Sequence, residues 1–263
     1  MKIRYSILLL LFLSCEEISD FETDNPFDPQ NPQYTPPSVT LTSGLQNNET
    51  INSSTTSFSW DGNVEGMLFR YFINERTLQE WDSDNSVVID FLDEGDYVFG
   101  VQGKYPTGDT SDTLFVAFTV DAVSGPALLF SPRKHISPVG GSIVFDILAE
   151  EVDSLAAASF TILFDPILIK VDSVVSGQYI GDNLESIFYT DIKNGLGAVD
   201  IITALIGSNE PVFSGTESLA KIYVSVKSSG TNEIRFDGAE TFRTINDNKI
   251  IINTAIGAII DQN

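Results

Sequence analysis

The chain has 263 residues and a formal net charge of −23, from 14 Lys and Arg against 37 Asp and Glu. Nucleic acids are held by clustered cations, and the sequence has no such cluster beyond Arg133-Lys134, so a nucleic-acid partner is excluded. The same charge makes anionic lipid surfaces repellent. Because 42% of the residues are apolar, the acidity does not indicate disorder, and we expect a folded chain made mostly of β-strands.

A single Cys and a single His exclude several kinds of site. A zinc site of Cys and His ligands, an iron–sulfur ligand set and an internal disulfide each need more of these residues. Catalysis by a Ser–His pair would depend on His135, which we interpret as an exposed loop or strand-edge histidine. Carboxylate pairs for glycoside hydrolysis stay open, because 37 acids offer many pairs. The sequence therefore predicts a protein that is not an enzyme, with no catalytic residue, no metal site and no cofactor.

Residues 1–14 have the composition of a bacterial export signal. Met1–Arg4 is basic and Tyr5–Leu13 is apolar, but the apolar run is far shorter than the ~20 residues that span a bilayer. Leu11-Phe-Leu-Ser-Cys15 resembles a bacterial lipobox, apart from Phe12, which stands where Leu is commonest. The resemblance implies cleavage before Cys15 and attachment of several acyl chains to that residue, which would anchor the chain in the membrane. A buried free cysteine is the alternative.

The residues after Cys15 predict where the anchored chain lies. Their acidic run up to Asp20 resembles the export signals of surface-exposed lipoproteins, so we expect a location on the outer membrane, facing outward. Loss of Lys2 and Arg4 with the signal would leave 12 basic residues against 37 acidic ones, a charge of −25. Residues 15–37 include five prolines between Asn25 and Pro37. This density predicts an acylated, semi-rigid stalk of about 40 Å in the polyproline conformation, and a proline-rich ligand for an aromatic groove is the alternative.

Residues 38–121 contain seven short β-rich runs separated by turn residues, a pattern typical of an all-β sandwich. The runs are Ser38–Thr42, Ser57–Trp60, Leu68–Ile73, Leu78–Trp81, Val87–Phe91, Tyr97–Gln102 and Leu114–Val120. Tyr97 follows an acidic turn and resembles the tyrosine corner of fibronectin type III and immunoglobulin-like domains, in which the hydroxyl bonds to the chain upstream. Trp60 resembles the core tryptophan of the second fibronectin strand. Trp81 has two interpretations, strand-edge packing or a platform that stacks a sugar.

Residues 122–126 predict a hinge of small residues with one Pro, and residues 127–263 a second β domain. Nine strand-like runs in it suit a jelly-roll sandwich. They are Ala127–Phe130, Ser142–Ala149, Ala156–Phe164, Leu168–Val175, Ser186–Thr190, Gly197–Leu205, Glu217–Lys227, Thr231–Asp237 and Ile250–Ile260. The last run is too short and too polar at its centre to cross a membrane, and we interpret it as a buried closing strand.

The order of motifs in the second domain resembles the cohesin family over about all of 127–263. A strand at Gly140–Leu148 and a turn at Val152–Ser154 lead into a long strand that ends in the aromatic-Asp-Pro turn Phe164-Asp165-Pro166. In this turn Asp caps through its side chain and Pro fixes φ. Gly195–Ala204 and Ser214–Lys227 resemble later cohesin strands. The resemblance implies the receptor side of a cohesin–dockerin pair, with any calcium held by the partner.

Strand alternation sorts the third strand of this domain into two faces, with Phe160, Ile162 and Phe164 in the core. In cohesins the sheet of the third, fifth, sixth and eighth strands presents a flat surface to a dockerin. The resemblance therefore implies a partner-binding face formed by Ser159, Thr161, Leu163, Asp200, Ile202, Glu233 and Arg235. Leu163 and Ile202 would be its apolar centre, or else ordinary scattered surface residues.

The leading hypothesis is a non-catalytic, lipid-anchored protein of the cell envelope whose second domain binds a dockerin-bearing or other protein, with a link to polysaccharide binding or breakdown. A carbohydrate-binding module displayed at the cell surface is the alternative. Planar glycans are usually bound by a row of exposed aromatic residues. Both Trp residues lie in the first domain, and the second has only Tyr179, Tyr189 and Tyr223 as aromatic residues with a polar group, which lowers this alternative.

Overall fold

Two separate hydrophobic cores organise the chain. The computed structural model describes residues 25–74, 76–178, 185–207 and 212–262, and all strand counts refer to these ranges. One core lies between Phe58 and Val120, and the other between Leu128 and Ile260. We call the parts around them the first and the second unit. The all-β class predicted from the sequence is confirmed.

The first unit consists of two sheets packed around a core centred on Trp60, which is fully buried. One sheet has the strand order β1-β3-β6 and the other has the order β2-β8-β7-β4-β5. The strands are β1 (Val39–Ser43), β2 (Glu49–Ile51), β3 (Thr56–Gly62), β4 (Leu68–Ile73), β5 (Arg76–Asp82), β6 (Ser86–Ile89), β7 (Gly95–Lys104) and β8 (Leu114–Val120). Each of the seven predicted runs overlaps one strand. The short β2, which pairs in parallel with β8, was not predicted.

Alternation builds this core. Phe58 and Trp60 in β3 point inward with the odd-numbered residues of β4, and Phe58 stacks on Phe99 of β7 with ring centroids 4.0 Å apart. The Tyr97 hydroxyl donates a hydrogen bond to the Asp93 carbonyl at 3.2 Å, as its position after the turn predicts. Trp60 and Tyr97, both singled out in the sequence, therefore lie in the core and at its corner.

The described part of the proline-rich segment is not extended. The prediction of a stalk in the polyproline conformation is therefore wrong for residues 25–37. Asn25, Asp28 and Asn31 each stand before a proline, and each side-chain oxygen accepts the N–H of the residue two positions on, at 2.9 to 3.1 Å. These three consecutive Asx turns fold the segment back onto the first unit. There the ring of Phe27 meets that of Tyr105 at 4.9 Å, and the Tyr105 hydroxyl donates to the Thr35 carbonyl.

The second unit is a sandwich of two sheets whose inner faces share one core. One has the order β13-β16-β11-β9-β20, and the other the order β10-β21-β17-β12-β15-β14 with β18 and β19 attached at β12. The strands are β9 (Ala127–Ser131), β10 (Lys134–Ser137), β11 (Ser142–Leu155), β12 (Ala157–Leu163), β13 (Ile169–Ser176), β14 (Glu185–Lys193), β15 (Ala198–Ile206), β16 (Phe213–Val226), β17 (Gly230–Phe236), β18 (Thr241–Arg243), β19 (Lys249–Ile250), β20 (Thr254–Ile256) and β21 (Ala258–Gln262).

The strands β10 and β18 lie outside the nine predicted runs, and two further segments of this unit differ from their sequence-based interpretation. The run Ile250–Ile260 is not one closing strand: β20 pairs with β9 in one sheet, and β21 pairs with β10 and β17 in the other. The chain changes sheets at Gly257, where a Cβ would overlap the Ile234 carbonyl oxygen. The turn expected at Val152–Ser154 lies inside β11, because two register shifts against β16 absorb the extra residues as bulges.

A buried ion pair joins the two units. The Arg133 guanidinium is paired with Glu94, and the Arg133 N–H donates to Asp93 at 2.8 Å. A small apolar cluster of Val123, Ala127 and Leu129 lies in the connection between them. The segment 122–126, predicted as a hinge, is thus flanked by a buried ion pair and contributes Val123 to a small apolar cluster. The domain boundaries themselves stay predictions.

Candidate partner-binding face

The residues predicted for the partner-binding face lie on one side of one sheet. In β12 the even-numbered residues from Ala158 to Ile162 are buried, so Ser159, Thr161 and Leu163 point outward. Ser159 is opposite Ile202 and Thr161 is opposite Asp200 in the antiparallel ladder with β15. Because directly paired residues point to the same side, all of these belong to one outward surface.

The strand β17 extends this surface on the other side of β12. Leu163 is opposite Arg235, and both Glu233 and Arg235 are exposed, while Ile234 between them points into the core. The order β17-β12-β15-β14 matches the expected neighbourhood of the eighth, third, sixth and fifth strands. We use the name outer face for the outward side of these four strands.

Two residues that the sequence interpretation left out form the apolar part of the outer face. Ile187 and Tyr189 of β14 are 52% and 53% exposed, and Tyr189 is directly opposite Ile202, which is 43% exposed. Alternation along β14 could have predicted this, because Phe188 and Ile192 of the same strand pack against the core and the odd-numbered residues must therefore point outward. Ile187, Tyr189 and Ile202 are therefore one exposed apolar patch on a polar sheet.

Leu163 and Ile202 were predicted as one apolar centre, but they do not lie in the same patch. Leu163 is opposite Ala198, four positions along β15 from Ile202, which is about 13 Å at ~3.3 Å per residue. Leu163 instead lines a cleft of about 290 Å³ where β12 and β17 separate, together with Leu168, Asn232 and Arg235. The two aliphatic residues thus belong to different parts of the outer face.

Between these parts lies a charged network. Asp200 accepts a hydrogen bond from Thr161 Oγ1 at 2.8 Å and forms an ion pair with Lys193, which also contacts Asp191 at 3.3 Å. Hydrogen bonds from Lys193 and Thr161 lower the pKa of Asp200, and those from Lys193 to Asp200 and Asp191 raise the pKa of Lys193. The hydrogen bonds and ion pairs of this network hold the two charged groups beside the apolar patch.

The outer face offers hydrogen bonds, charge and an apolar patch. No group of three or more His, Cys, Asp or Glu side chains in the described ranges is arranged to hold a metal ion.

Two other residues singled out in the sequence lie away from this face or outside the described ranges. His135 lies in the edge strand β10, and its pKa is lowered mainly by burial and further by the charge of Arg76. No helix in the described parts of the chain has the length and apolarity to span a membrane. Cys15 lies outside the described residues, so its acylation stays a prediction.

The comparison with protein families finds a match within the second unit. Residues 131–259 match the family model of the cohesin domain. This segment, just under half of the chain, is similar to cohesin domains. Cohesin domains are non-catalytic modules of protein interaction. No curated protein matches the chain.

Solved structures similar to part of the chain include several cohesins. A non-cellulosomal cohesin from the archaeon Archaeoglobus fulgidus is 16% identical, over 52% of this chain and 90% of that one, with a TM-score of 0.43. A scaffoldin cohesin from Acetivibrio cellulolyticus, in complex with a Cel5 dockerin, is 17% identical, over 53% and 100%, with a TM-score of 0.43. A Clostridium thermocellum cohesin in complex with a dockerin is 14% identical, over 52% and 98%, with a TM-score of 0.45.

Proposed function

We propose that this chain is a non-catalytic, lipid-anchored protein of the bacterial cell envelope whose cohesin domain binds a dockerin-bearing protein through the outer face. The match of residues 131–259 to the cohesin family carries the proposal. Dockerins are the partners of two of the similar cohesins described above. The exposed patch of Ile187, Tyr189 and Ile202 beside a fixed charged network suits the apolar centre and polar rim of a protein interface.

A matched pair of tyrosines tests which face binds. Tyr189 lies on the outer face and is 53% exposed, while Tyr223 lies in β16 on the opposite sheet and is 38% exposed. We expect Tyr189→Asp to weaken binding at least tenfold, because a carboxylate at the centre of an interface must lose its water. Tyr223→Asp should leave binding unchanged.

The measurement is capture of proteins by the immobilised full-length chain from a lysate of the source organism, with mass spectrometry of what is bound. A dockerin-bearing protein that the wild type and Tyr223→Asp retain, that Tyr189→Asp loses and that a chelator wash releases supports the proposal. Capture of glycans alone, insensitive to the chelator, would contradict it. Equal retention by all three chains shows that the outer face is not the site, and Leu163→Asp tests its cleft end in the same way.

The proposal includes a lipid anchor because the sequence that ends at Cys15 resembles a lipobox. Acyl chains hold a protein at a membrane through burial of their methylene groups. The full-length chain should therefore partition into detergent, and Cys15→Ser should move it to the aqueous phase without a change in the cohesin domain. Protease treatment of intact cells then tests surface exposure, and protection of the chain would place it on the inner side of the membrane.

The first unit is proposed to be a fibronectin type III-like spacer. Its two sheets, the buried Trp60 and the Tyr97 hydrogen bond to Asp93 support this interpretation. The carbohydrate-binding alternative has less support in the cohesin domain. Its described tyrosines, Tyr189 and Tyr223, lie on opposite sheets and form no row.

A further inference from the structure

Two cations lie against one tryptophan on the outward side of the first unit. Trp81 belongs to β5, the edge strand of the sheet β2-β8-β7-β4-β5. The guanidinium carbon of Arg70 lies 4.8 Å from the centroid of its ring, and Nζ of Lys104 lies 4.5 Å from it. The ring attracts both charges. The two cations are therefore no farther apart than about 10 Å, the Debye length at 0.1 M salt, and they repel each other.

Neither cation has a carboxylate partner within the described ranges. Six other Lys and Arg residues there each form an ion pair: Arg133, Lys134, Lys170, Lys193, Lys221 and Arg243. Arg70 instead donates from Nε to Gln102 at 2.9 Å, and Gln102 donates to the Ser111 carbonyl at 2.7 Å. This chain of bonds orients the guanidinium, and its two terminal nitrogens have no hydrogen-bond acceptor among the described residues.

Aromatic rings continue the same surface. Phe72 is two residues beyond Arg70 in β4 and so points to the same side. Its ring covers Gly100 of β7, where a Cβ would overlap it, and meets Phe115 of β8 edge-on at 5.9 Å. Phe115 is 59% exposed. One sheet face thus carries a cationic end and an aromatic end.

We propose that this face binds an acidic polysaccharide, with Arg70 and Lys104 binding the carboxylate of a uronic acid unit beside Trp81 and neighbouring sugar rings against Phe72 and Phe115. Free N–H donors on cations match a carboxylate, and aromatic faces bury the apolar side of a sugar ring. Binding of an anion also relieves the repulsion between the two cations. The exposed Glu80 and Asp82 flank Trp81 in β5 and repel any anion, so binding of an anion depends on both cations.

The site is independent of the proposed dockerin binding, because it lies on the first unit. The test uses the full-length chain and two polymers with one backbone, polygalacturonate and its methyl ester. We expect polygalacturonate to bind in low salt and the ester to bind at least tenfold more weakly, since esterification removes the charge that the cations recognise. Calorimetry or affinity electrophoresis measures both.

Charge-matched variants separate this site from general electrostatics. Arg70→Gln and Lys104→Gln should each weaken polygalacturonate binding about tenfold, the loss expected for one charge-assisted hydrogen bond. Arg76→Gln removes the same charge from the same unit away from Trp81 and should change binding less than twofold. An equal loss in Arg76→Gln, equal binding of the methyl ester, no binding by the wild type, or tighter binding of polyglutamate each overturns the proposal. Unchanged dockerin capture by Arg70→Gln confirms that the cohesin domain is intact.

Discussion

Glu150, a buried acid near the junction of the two units, lowers the stability of the folded state at neutral pH. Glu150 of β11 is 8% exposed, and its Oε2 atom has no hydrogen-bond partner in the described residues. Burial raises its pKa, a hydrogen bond from Thr216 lowers it, and the nearby Glu94, Glu151 and Asp121 raise it further. A charged group held this way costs free energy at neutral pH.

Glu150→Gln should therefore stabilise the protein at pH 7 by roughly 1 kcal/mol, the order of an unsatisfied buried polar group. The folded-state pKa of Glu150 lies above its unfolded value, so the folded state binds more protons between the two values. The wild type consequently loses stability as the pH rises through the folded pKa. Urea unfolding at pH 4 and pH 7.5 should show the advantage of the variant only at the higher pH. An advantage of the same size at both values would contradict this cause, and exposed Glu233→Gln is the control.

At the scale of elements, the start of β15 depends on one glycine. A 3-10 turn at Asn194–Leu196 joins β14 to β15 and ends at Gly197, which has a φ of +66°. The Gly197 carbonyl accepts the Phe164 N–H at 2.9 Å, and a Cβ at this position would overlap the Phe164 oxygen. The turn thus holds the Phe-Asp-Pro turn in place and sets the register that aligns Asp200 with Thr161.

Gly197→Ala should lower the free energy of unfolding by about 2 kcal/mol, through the strain of a left-handed backbone and the overlap with Phe164. Gly195→Ala is the matched control two residues away, since a Cβ there meets no atom within 4 Å. Chemical unfolding of both variants measures the difference. Equal stability of the two variants would show that the close approach at Gly197 is not needed.

At the scale of the whole molecule, Arg133 joins two cores that are otherwise built separately. Its guanidinium is 6% exposed and pairs with Glu94, whose other carboxylate oxygen accepts the Ala122 N–H at 2.9 Å. Burial raises the pKa of the adjacent Asp93, and the hydrogen bond and charge of Arg133 lower it. Without Arg133, Glu94 and Asp93 would be close acids with no cation in the described contacts.

Arg133→Met should cost about 3 kcal/mol, because removal of one partner leaves a buried charge uncompensated. Addition of Glu94→Gln to this variant should recover at least half of the loss, since the second change removes that charge. Calorimetric unfolding of the two variants against the wild type measures the coupling. A loss below 0.5 kcal/mol in the single variant would mean that the ion pair does not hold the units together.

The sequence by itself determined the all-β class, seven strands of the first unit and the sides of β12, because alternation of apolar residues is a local property. Phe164-Asp165-Pro166 and its neighbours also indicated the similarity to cohesins that the family match at 131–259 shows. The three Asx turns at Asn25, Asp28 and Asn31 could also have been predicted, because each of these residues stands before a proline. The proline content considered alone indicated an extended stalk instead.

Only the tertiary structure decided which outward residues are neighbours. Register places Ile202 beside Tyr189 and separates it from Leu163, and register depends on pairing between strands that are distant in the sequence. The pairing of Arg133 with Glu94 and the meeting of Arg70 and Lys104 at Trp81 likewise join residues from different strands or units. Periodicity states which side of a strand a residue occupies, whereas the composition of a surface depends on long-range pairing that no local pattern contains.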